Sequence, residues 1–332
     1  MTNSAKMKNI IFLITFIISQ VITAQSYKKS EPFTHTYSIV ARDSITGDMG
    51  VAVQSHWFSV GSVVTYGKAG VGVVATQSLV NPSYGPKGLT LMGEGLSPEQ
   101  ALKVLIKNDE GEMYRQVAFL NKKGQVATHT GNLCIEEAGH RQGKNFSVQA
   151  NMMLNNTVWN AMAKAFETTK GSLSERILAS LKAAENEKGD IRGKQSAAIL
   201  IVKGEATGNY WEDTVMDLRV EDHENPIKEL ERLIKIHKAY DFMNNGDLAM
   251  EAGNSIEAEK LYLEAQKLFP NNIEMKYWYA INLVNNKEFE KAKPILKSIF
   301  SQDNNWKLLV PRLVKSKLLV ISKDELKNIM RL

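Results

Sequence analysis

Alternating apolar and polar positions near the start of the chain predict a β-hairpin. Its first strand is Thr36-Tyr-Ser-Ile-Val-Ala-Arg-Asp43, and its second is Gly50-Val-Ala-Val-Gln-Ser-His56. Runs of this length, rich in β-branched residues and separated by a glycine-containing turn, are typical of paired strands. The first strand opens with a hydroxyl residue, Thr36.

The register of this hairpin determines which polar side chains accompany Thr36. If 44–48 forms the loop and Asp43 pairs with Met49, then Thr36 lies opposite His56 and Ser38 lies opposite Gln54. Because side chains alternate between the faces of a strand, these four residues would share one face. A register shift of one residue would move part of the set to the other face.

Runs of strands and runs of helices alternate up to about residue 220, which favours an α+β fold. Further strands are predicted over 62–66, 71–77, 115–120, 125–130, 146–152, 195–202 and 214–220. Helices are predicted over 88–92, 101–107, 158–166 and 173–184, two of them opened by the capping boxes Ser97-x-x-Gln100 and Ser172-x-x-Glu175. The nearly continuous apolar strands imply cover on both faces, which two sheets with helices on their outer sides would provide.

The last hundred residues are rich in Glu, Lys, Ala and Leu with helical periodicity. A helix from Pro226 to about Lys238 is predicted to join them to the preceding region. Small and apolar residues then recur at a spacing of 34 residues, a pattern that resembles tetratricopeptide repeats. The first copy contains Gly246, Ala258, Tyr262, Ala265 and Pro270, answered by Ala280, Ala292, Leu296, Ile299 and Asn304. We expect these repeats to bind a protein or peptide partner.

The N-terminal segment predicts export. Lys6 and Lys8 precede the apolar run 10–21, which is short for a membrane span, and Ala24 offers a cleavage site. We therefore predict a signal peptide over 1–24, a mature chain beginning near Gln25, and a periplasmic or secreted protein without a stable membrane anchor. The alternative is that the run is kept as an uncleaved anchor.

Composition excludes several functional classes. The net charge of +5 comes from interleaved Lys and Glu, so no basic block indicates nucleic-acid binding. Histidine and cysteine spacing predicts no metal site, and Cys134 is expected to be a small buried apolar residue. The segment Gly67-x-x-Gly70-x-Gly72 leads into a strand where a dinucleotide fingerprint would lead into a helix, so no cofactor is expected.

A hydroxyl residue at the head of a hairpin is how N-terminal-nucleophile (Ntn) hydrolases present their catalytic group. A free α-amino group has a pKa of about 8, so an N-terminal Thr36 would carry its own base for attack on an amide carbonyl. This requires removal of 25–35 after signal-peptide cleavage. If the segment is kept, His56 is the available base, and Ser38 or Ser55 supplies the hydroxyl.

Several amides and hydroxyls are candidates for substrate binding. The polar segment 75–86, which follows a buried strand, contains Gln77, Asn81 and Tyr84; it could equally be a rigid turn built by its prolines. Gln149 and Asn151 occupy alternate positions of the strand 146–152, where a core would favour hydrocarbon. Gln54 and Ser55 complete the predicted substrate-binding set.

Seven motifs in order closely resemble the bacterial family known as domain of unknown function 1028, over about residues 34–232. They are Ser38-Ile-Val-Ala-Arg-Asp43, Gly50-Val-Ala-Val-Gln-Ser-His-Trp57, Ala75-Thr-Gln77, Asn81-Pro-Ser-Tyr-Gly85, Ala138-Gly-His140, Gln149-Ala-Asn151 and Asp217-Leu-Arg-Val-Glu-Asp-His223. That family looks like a member of the Ntn-hydrolase superfamily, which implies a four-layer αββα sandwich. By the superfamily pattern, Thr36 matches the leading nucleophile.

The sequence therefore predicts an αββα domain over 34–232 followed by a helical repeat domain over 239–332. The function we expect is hydrolysis of an amide bond in a peptide or a peptidoglycan-derived substrate. The alternative is a non-catalytic scaffold that binds other proteins through the same fold. The sequence leaves the oligomeric state open.

Overall fold

The computed structural model describes the main chain of Phe33 and Thr34 and all of residues 36–332. The predicted signal peptide and most of the segment 25–35 lie outside these residues. The described chain forms two antiparallel sheets with helices between their strands, followed by a C-terminal helical region.

Sheet 1 has five strands, paired in the order β1-β5-β6-β7 with β4 also paired to β5. Its strands are β1 (Phe33–Thr34), β4 (Thr65–Lys68), β5 (Gly72–Leu79), β6 (Arg115–Asn121) and β7 (Val126–Thr130). Sheet 2 has six strands in the order β11-β10-β3-β2-β9-β8. They are β2 (Thr36–Arg42), β3 (Met49–Ser55), β8 (Gly139–Gly143), β9 (Phe146–Ala150), β10 (Ser196–Val202) and β11 (Thr214–Val220).

Eleven helices accompany the sheets within the described residues. Five lie between strands: α1 (Gly61–Val64), α2 (Tyr84–Gly93), α3 (Pro98–Lys107), α4 (Val158–Thr168) and α5 (Leu173–Asn186). Six follow the last strand: α6 (Pro226–Glu251), α7 (Ser255–Leu268), α8 (Ile273–Asn285), α9 (Phe289–Gln302), α10 (Asn305–Lys315) and α11 (Lys323–Met330).

Three apolar clusters hold the sheet region together. One lies between the sheets and joins Val51 and Val53 of sheet 2 to Val73 and Leu120 of sheet 1. A second packs the outer face of sheet 2 against α4, α5 and the first half of α6. A third packs the outer face of sheet 1 against α2 and α3. Every strand that reads as continuously apolar is therefore covered on both faces, as its sequence requires.

The C-terminal helices bury most of the small and apolar residues of the 34-residue pattern, whereas Pro270 and Asn304 lie between helices and are exposed. Helices α7 and α9 have equal lengths and occupy matching places in the two copies. Gly246 shows why a small residue is needed, because a Cβ atom there would lie 2.6 Å from the ring of Tyr262. In the second copy Ala280, Ala292 and Leu296 are fully buried. The small positions therefore permit close helix packing.

Helix α6 is longer than the sequence predicted and belongs to both regions. It runs unbroken for 26 residues, whereas the predicted linking helix ended near Lys238. Ile227, Leu230 and Ile234 join the cluster on sheet 2. Ala239 and Met243 join a separate cluster with α7 and α8. The change from one core to the other falls inside a single helix.

The predicted hairpin register is wrong by one residue. Met49 pairs with Arg42 and not with Asp43, so Ser55 lies opposite Thr36 and Val53 lies opposite Ser38. The cause is the side chain of Asp43, whose Oδ1 accepts hydrogen bonds from the main-chain nitrogens of Ile45 (2.7 Å) and Thr46 (3.0 Å). Asp43 thereby becomes part of the turn and not of the strand.

Two further segments differ from their prediction. Residues 61–64 form the short helix α1, and the strand begins only at Thr65. The sequence analysis also missed β8, whose residues Gly-His-Arg-Gln-Gly offer no apolar alternation because it is an edge strand of sheet 2. The second hairpin was predicted correctly, with Gly124 in the left-handed conformation (φ +77°) that its turn needs.

Within the described residues, no helix is both long and apolar enough to cross a membrane.

Candidate functional site

The space between the sheets is apolar at one end and polar at the other. The polar end surrounds the start of β2 and is lined by side chains that alternate with buried apolar residues on their strands. These side chains are Thr36, Ser38, Ser55, Gln77, Gln116, Thr128, Ser147, Gln149 and Asn151. All but Thr128 are almost completely buried. A buried polar cluster of this size needs internal hydrogen bonds to be stable.

Thr36 is the first residue of β2 and is fully buried. Its main-chain oxygen accepts hydrogen bonds from the main-chain nitrogen of Asn151 (3.1 Å) and from Nε2 of Gln77 (3.0 Å). Nδ2 of Asn151 lies 3.4 Å from the same oxygen. Donors from both sheets therefore fix the main chain of Thr36.

Gln116 is the centre of this hydrogen-bond network. Its Oε1 accepts from Nε2 of Gln77 (2.7 Å) and Nδ2 of Asn151 (2.9 Å). Its Nε2 donates to Thr130 Oγ1 (3.0 Å) and to the main-chain oxygens of Ala150 (2.9 Å) and Gly139 (3.2 Å). The sequence analysis missed Gln116, although it is an amide at a core-facing position of an apolar strand, the same signal that identified Gln149.

The network continues outward through Thr130. Its Oγ1 lies 2.9 Å from Nδ1 of His140. Partial burial, and then the charge of His129, lower the pKa of His140, which favours the neutral imidazole. Thr130 also lines a surface cleft of about 480 Å³, whose other wall includes Trp159. The polar end of the inter-sheet space therefore reaches the surface on this side.

Ser38 and Gln149 form a second contact between polar side chains in the same space. Nε2 of Gln149 donates to Ser38 Oγ (3.2 Å) and lies 3.4 Å from the main-chain oxygen of Ala75. Within the described part of the chain, Oε1 of Gln149 and Oε1 of Gln77 accept no hydrogen bond. Two buried acceptors thus remain beside β2, one on Gln77 next to Thr36 and one on Gln149 next to Ser38.

Unusual main-chain conformations follow both amides that hold Thr36. Ser78, next to Gln77, has φ +74°, and Met152, next to Asn151, has φ +58°. Left-handed conformations are uncommon for residues other than glycine and carry a strain of about 1–3 kcal/mol. Such strain persists only where the surrounding structure enforces it, and it concentrates at functional sites.

Gln54 lies away from the predicted site because of the changed register. It pairs with Tyr37 and shares the helix-facing side of sheet 2 with that residue. Both polar atoms of its side chain are buried without a hydrogen-bond partner among the described residues. Ser55, in contrast, takes the position opposite Thr36 that the sequence analysis gave to His56.

His56 lies just beyond the end of β3 and is exposed. Its main-chain nitrogen donates to Oδ2 of the buried Asp190 (3.2 Å), which also pairs with Arg192 (2.7 Å). The predicted grouping of His56 with Ser38 on one face of the hairpin is therefore wrong, because the true register ends β3 at Ser55.

Asn81 and Tyr84 are also separated from Thr36. Oδ1 of Asn81 accepts from the main-chain nitrogen of Ser83 (3.1 Å), which stabilises the turn before α2. Tyr84 packs on the outer face of sheet 1, where its hydroxyl donates to Asp109 (3.1 Å). Burial and the neighbouring carboxylate raise the pKa of Tyr84. Both residues have structural contacts and lie on the opposite face of sheet 1 from Gln77.

The chain passes from one sheet to the other immediately before Thr36. Thr34 pairs with Ser78 of β5 in sheet 1, whereas Thr36 pairs with Ser55 of β3 in sheet 2. The crossing between the sheets therefore falls between Thr34 and Thr36.

The described residues contain no group of three or more His, Cys, Asp or Glu side chains that could hold a metal ion. Cys134 is half-buried, and its thiol lies 3.4 Å from the main-chain oxygen of Arg115. Burial raises the pKa of this thiol, so the reactive thiolate is disfavoured.

Residues 36–230 match the model of the Family of unknown function (DUF1028). The chain belongs to this family. The match covers every strand of the two sheets except β1, and it includes the first turn of α6 but leaves the other C-terminal helices outside. No curated protein matches this DUF1028 chain.

Two solved structures are similar to it. The crystal structure of protein SPO2555 from Silicibacter pomeroyi, a DUF1028 member, is 30% identical, covers 60% of this chain and 88% of its own, and has a TM-score of 0.55. Anbu (ancestral beta-subunit) from Yersinia bercovieri is 11% identical, covers 66% of this chain and 97% of its own, and has a TM-score of 0.31. The second value is too low to support any conclusion.

Proposed function

We propose that this DUF1028 protein is an exported Ntn-type amidohydrolase with Thr36 as its nucleophile. Its two sheets and their flanking helices would form the four-layer αββα sandwich of that superfamily. The C-terminal helices would act as tetratricopeptide-like repeats that bind a protein or peptide. The substrate would be an amide bond in a peptide or peptidoglycan-derived molecule.

One observation carries the proposal. Thr36 begins β2, a central strand of sheet 2, directly after the chain crosses from one sheet to the other, and its main-chain oxygen is fixed by Gln77 and Asn151. A nucleophile needs this kind of fixed geometry, because misplacement by about 1 Å can reduce the rate about 100-fold.

The chemistry requires a cut between His35 and Thr36. The new α-amino group, with a pKa of about 8, accepts the proton of the Thr36 hydroxyl as Oγ1 attacks the substrate carbonyl. The C–N bond then breaks, the amine leaves with the proton, and water hydrolyses the resulting ester. The two unpaired Oε1 atoms of Gln77 and Gln149 are available to accept hydrogen bonds from substrate N–H groups.

A non-catalytic scaffold is the second candidate, and two observations favour it. In the uncut chain Thr36 is fully buried, so its hydroxyl is not accessible. Helix α7 exposes Ile256 (83%) beside a surface cleft of about 580 Å³ that Leu263 and Pro270 also line. A scaffold would use such surfaces without any cut at Thr36.

Mass spectrometry of the exported protein distinguishes the two candidates. We expect the wild-type chain and Thr36→Ser to begin at residue 36, because both keep a hydroxyl. Thr36→Ala should retain the preceding segment and hydrolyse none of a panel of peptide amides. If all three chains begin near Gln25, the hydrolase proposal is wrong and the scaffold is favoured.

A further inference from the structure

The outer edge of β5 is divided between two partners. Residues 72–75 pair with β4, whereas Ser78 and Leu79 pair with the two residues of β1. Because β1 belongs to the segment that the proposed maturation removes, cutting before Thr36 would leave the main chain of Ser78 and Leu79 without β1. Unpaired strand edges of this kind bind extended peptides.

This stretch of edge is held in place by residues outside β1. The guanidinium of Arg115 donates to the main-chain oxygen of Leu79 (2.6 Å) and pairs with Asp109 (2.8 Å). On the other side of β5, Ser78 pairs with Arg115 in the ladder of sheet 1. An edge fixed in this way is pre-organised, which lowers the entropy lost when a ligand binds.

The edge is also tied to Thr36. Gln77, the residue before Ser78, donates its Nε2 hydrogen bond to the main-chain oxygen of Thr36 (3.0 Å). In β1, Phe33 pairs with Leu79 and Thr34 pairs with Ser78, so the strand runs toward Thr36. One residue separates Thr34 from Thr36. A peptide bound in the same way would have one residue between the residue paired with Ser78 and the nucleophile. The carbonyl of that one residue is the group that Thr36 would attack.

We infer that the mature protein binds an extended peptide substrate along Ser78 and Leu79, antiparallel to β5, in the place of β1. This inference rests on the proposed function. The peptide forms an ester with Thr36 Oγ1 as its C–N bond breaks and the amine leaves with a proton. Water then adds its hydroxyl to the acyl carbon and returns a proton to Oγ1.

The substrate class follows from this pairing. Recognition through the main chain requires at least three consecutive residues on the acyl side of the cut bond, in extended conformation. It places little demand on the side chains of those residues. Small amides without a peptide main chain on that side cannot form the ladder.

The leader itself supplies a probe for the site. The acetylated peptide Glu-Pro-Phe-Thr-His, with a free carboxylate, has the sequence of residues 31–35 and is the product of the proposed cut. In an antiparallel pair, one residue exchanges main-chain hydrogen bonds with its partner and the next residue does not. N-methylation of the Phe or of the Thr therefore removes a ladder hydrogen bond in only one of the two peptides.

Calorimetric titration of these peptides into exported protein that begins at Thr36 tests the inference. We expect the parent peptide to bind, one N-methyl peptide to bind at least 10-fold more weakly, and the other to match the parent. Absence of parent binding, or equal effects of the two methylations, overturns the inference. If protein that begins at Thr36 fails to bind the peptide but still cleaves peptide amides, only the peptide-binding inference is wrong and the hydrolase proposal stands. If export yields no chain beginning at Thr36, the hydrolase proposal and the peptide-binding inference are both wrong.

Discussion

Asn151, at the end of β9 in sheet 2, donates a hydrogen bond of 2.9 Å to Gln116, which lies in β6 of sheet 1. Gln116 is therefore the residue that joins the polar ends of the two sheets. Its amide makes five hydrogen bonds, to the side chains of Gln77, Asn151 and Thr130 and to the main-chain oxygens of Gly139 and Ala150. The first prediction concerns this residue.

Gln116→Leu should lower the free energy of unfolding by about 3 kcal/mol or more, because it removes five hydrogen bonds, each worth about 0.5–1.5 kcal/mol. Urea denaturation followed by circular dichroism measures the change. A matched control is Thr128→Val combined with Ser147→Ala, which removes both members of a hydroxyl pair 2.7 Å apart. Since it leaves no partner behind, the double variant should be nearly neutral. Equal losses in the two proteins would mean that Gln116 is not the centre of the network.

Gln54→Met should stabilise the protein by about 1 kcal/mol, because the buried amide of Gln54 has no hydrogen-bond partner among the described residues. It should leave any peptide-amide hydrolysis unchanged, since Gln54 lies on the face of sheet 2 away from Thr36. Thermal unfolding and turnover are measured on the same samples. Gln149→Met serves as the comparison, because Gln149 lies in the inter-sheet space and contacts Ser38. A fall in stability for Gln54→Met would show that its amide has a partner in solution.

Stability at low pH should depend on Asp109. Burial alone would raise the pKa of this carboxyl, but hydrogen bonds from Arg115 and from the main chain of Gly111 lower it below its usual value of about 3.9. A carboxyl with a lowered pKa in the folded state stabilises the fold above pH 4, and this contribution is lost as the pH falls below that value.

Asp109→Asn should therefore destabilise the protein at pH 7 by about 3–5 kcal/mol, because it removes the carboxylate that pairs with the buried guanidinium of Arg115. The difference from wild type should shrink as the pH is lowered from 5 toward 2. Urea midpoints measured across this range test the sign. The neighbouring Glu110→Gln, at an exposed position, provides the control and should change the midpoints little. A constant difference at every pH would contradict the assignment.

How far the two regions fold separately depends on helix α6. A chain that ends after Lys238 keeps Ile227, Leu230 and Ile234 in the cluster on sheet 2, so it should unfold cooperatively near the denaturant midpoint of the full protein. A chain that ends after Asn225 loses all three buried side chains. At about 2–5 kcal/mol for each, this loss should unfold or aggregate the shorter chain. Aggregation of both truncated chains would indicate a single folding unit.

The sequence predicted the elements whose signals are local. The capping boxes at Ser97 and Ser172 mark the starts of α3 and α5. Gly124 marks the second hairpin, and Thr214–Val220 was predicted with its correct bounds. In each case the deciding interaction lies within a few residues, so a single sequence contains it.

The site was harder to predict because it depends on contacts between distant segments. The side-chain hydrogen bonds of Asp43 shift the first hairpin by one residue, which moves Gln54 to the other face and replaces His56 with Ser55 opposite Thr36. The part played by Gln116 depends on partners in β5, β7 and the segment after β9, and no local pattern encodes that meeting. Gln149 and Asn151 were identified because amides at alternate positions of an apolar strand are conspicuous, and Gln77 because it lies in a polar segment that follows a buried strand.

Because α6 is a single unbroken helix, it fixes the orientation of the cluster around Ala239 and Met243 relative to the cluster on sheet 2. With 26 residues the helix is about 39 Å long, and each residue is rotated by about 100° around the helix axis from the residue before it. A single residue inserted between Ile234 and Ala239 would rotate the second cluster by about that angle relative to sheet 2. It would also displace that cluster by about 1.5 Å along the axis. Insertions or deletions between Ile234 and Ala239 would preserve the orientation of the second cluster only when they add or remove about seven residues, which is two helical turns.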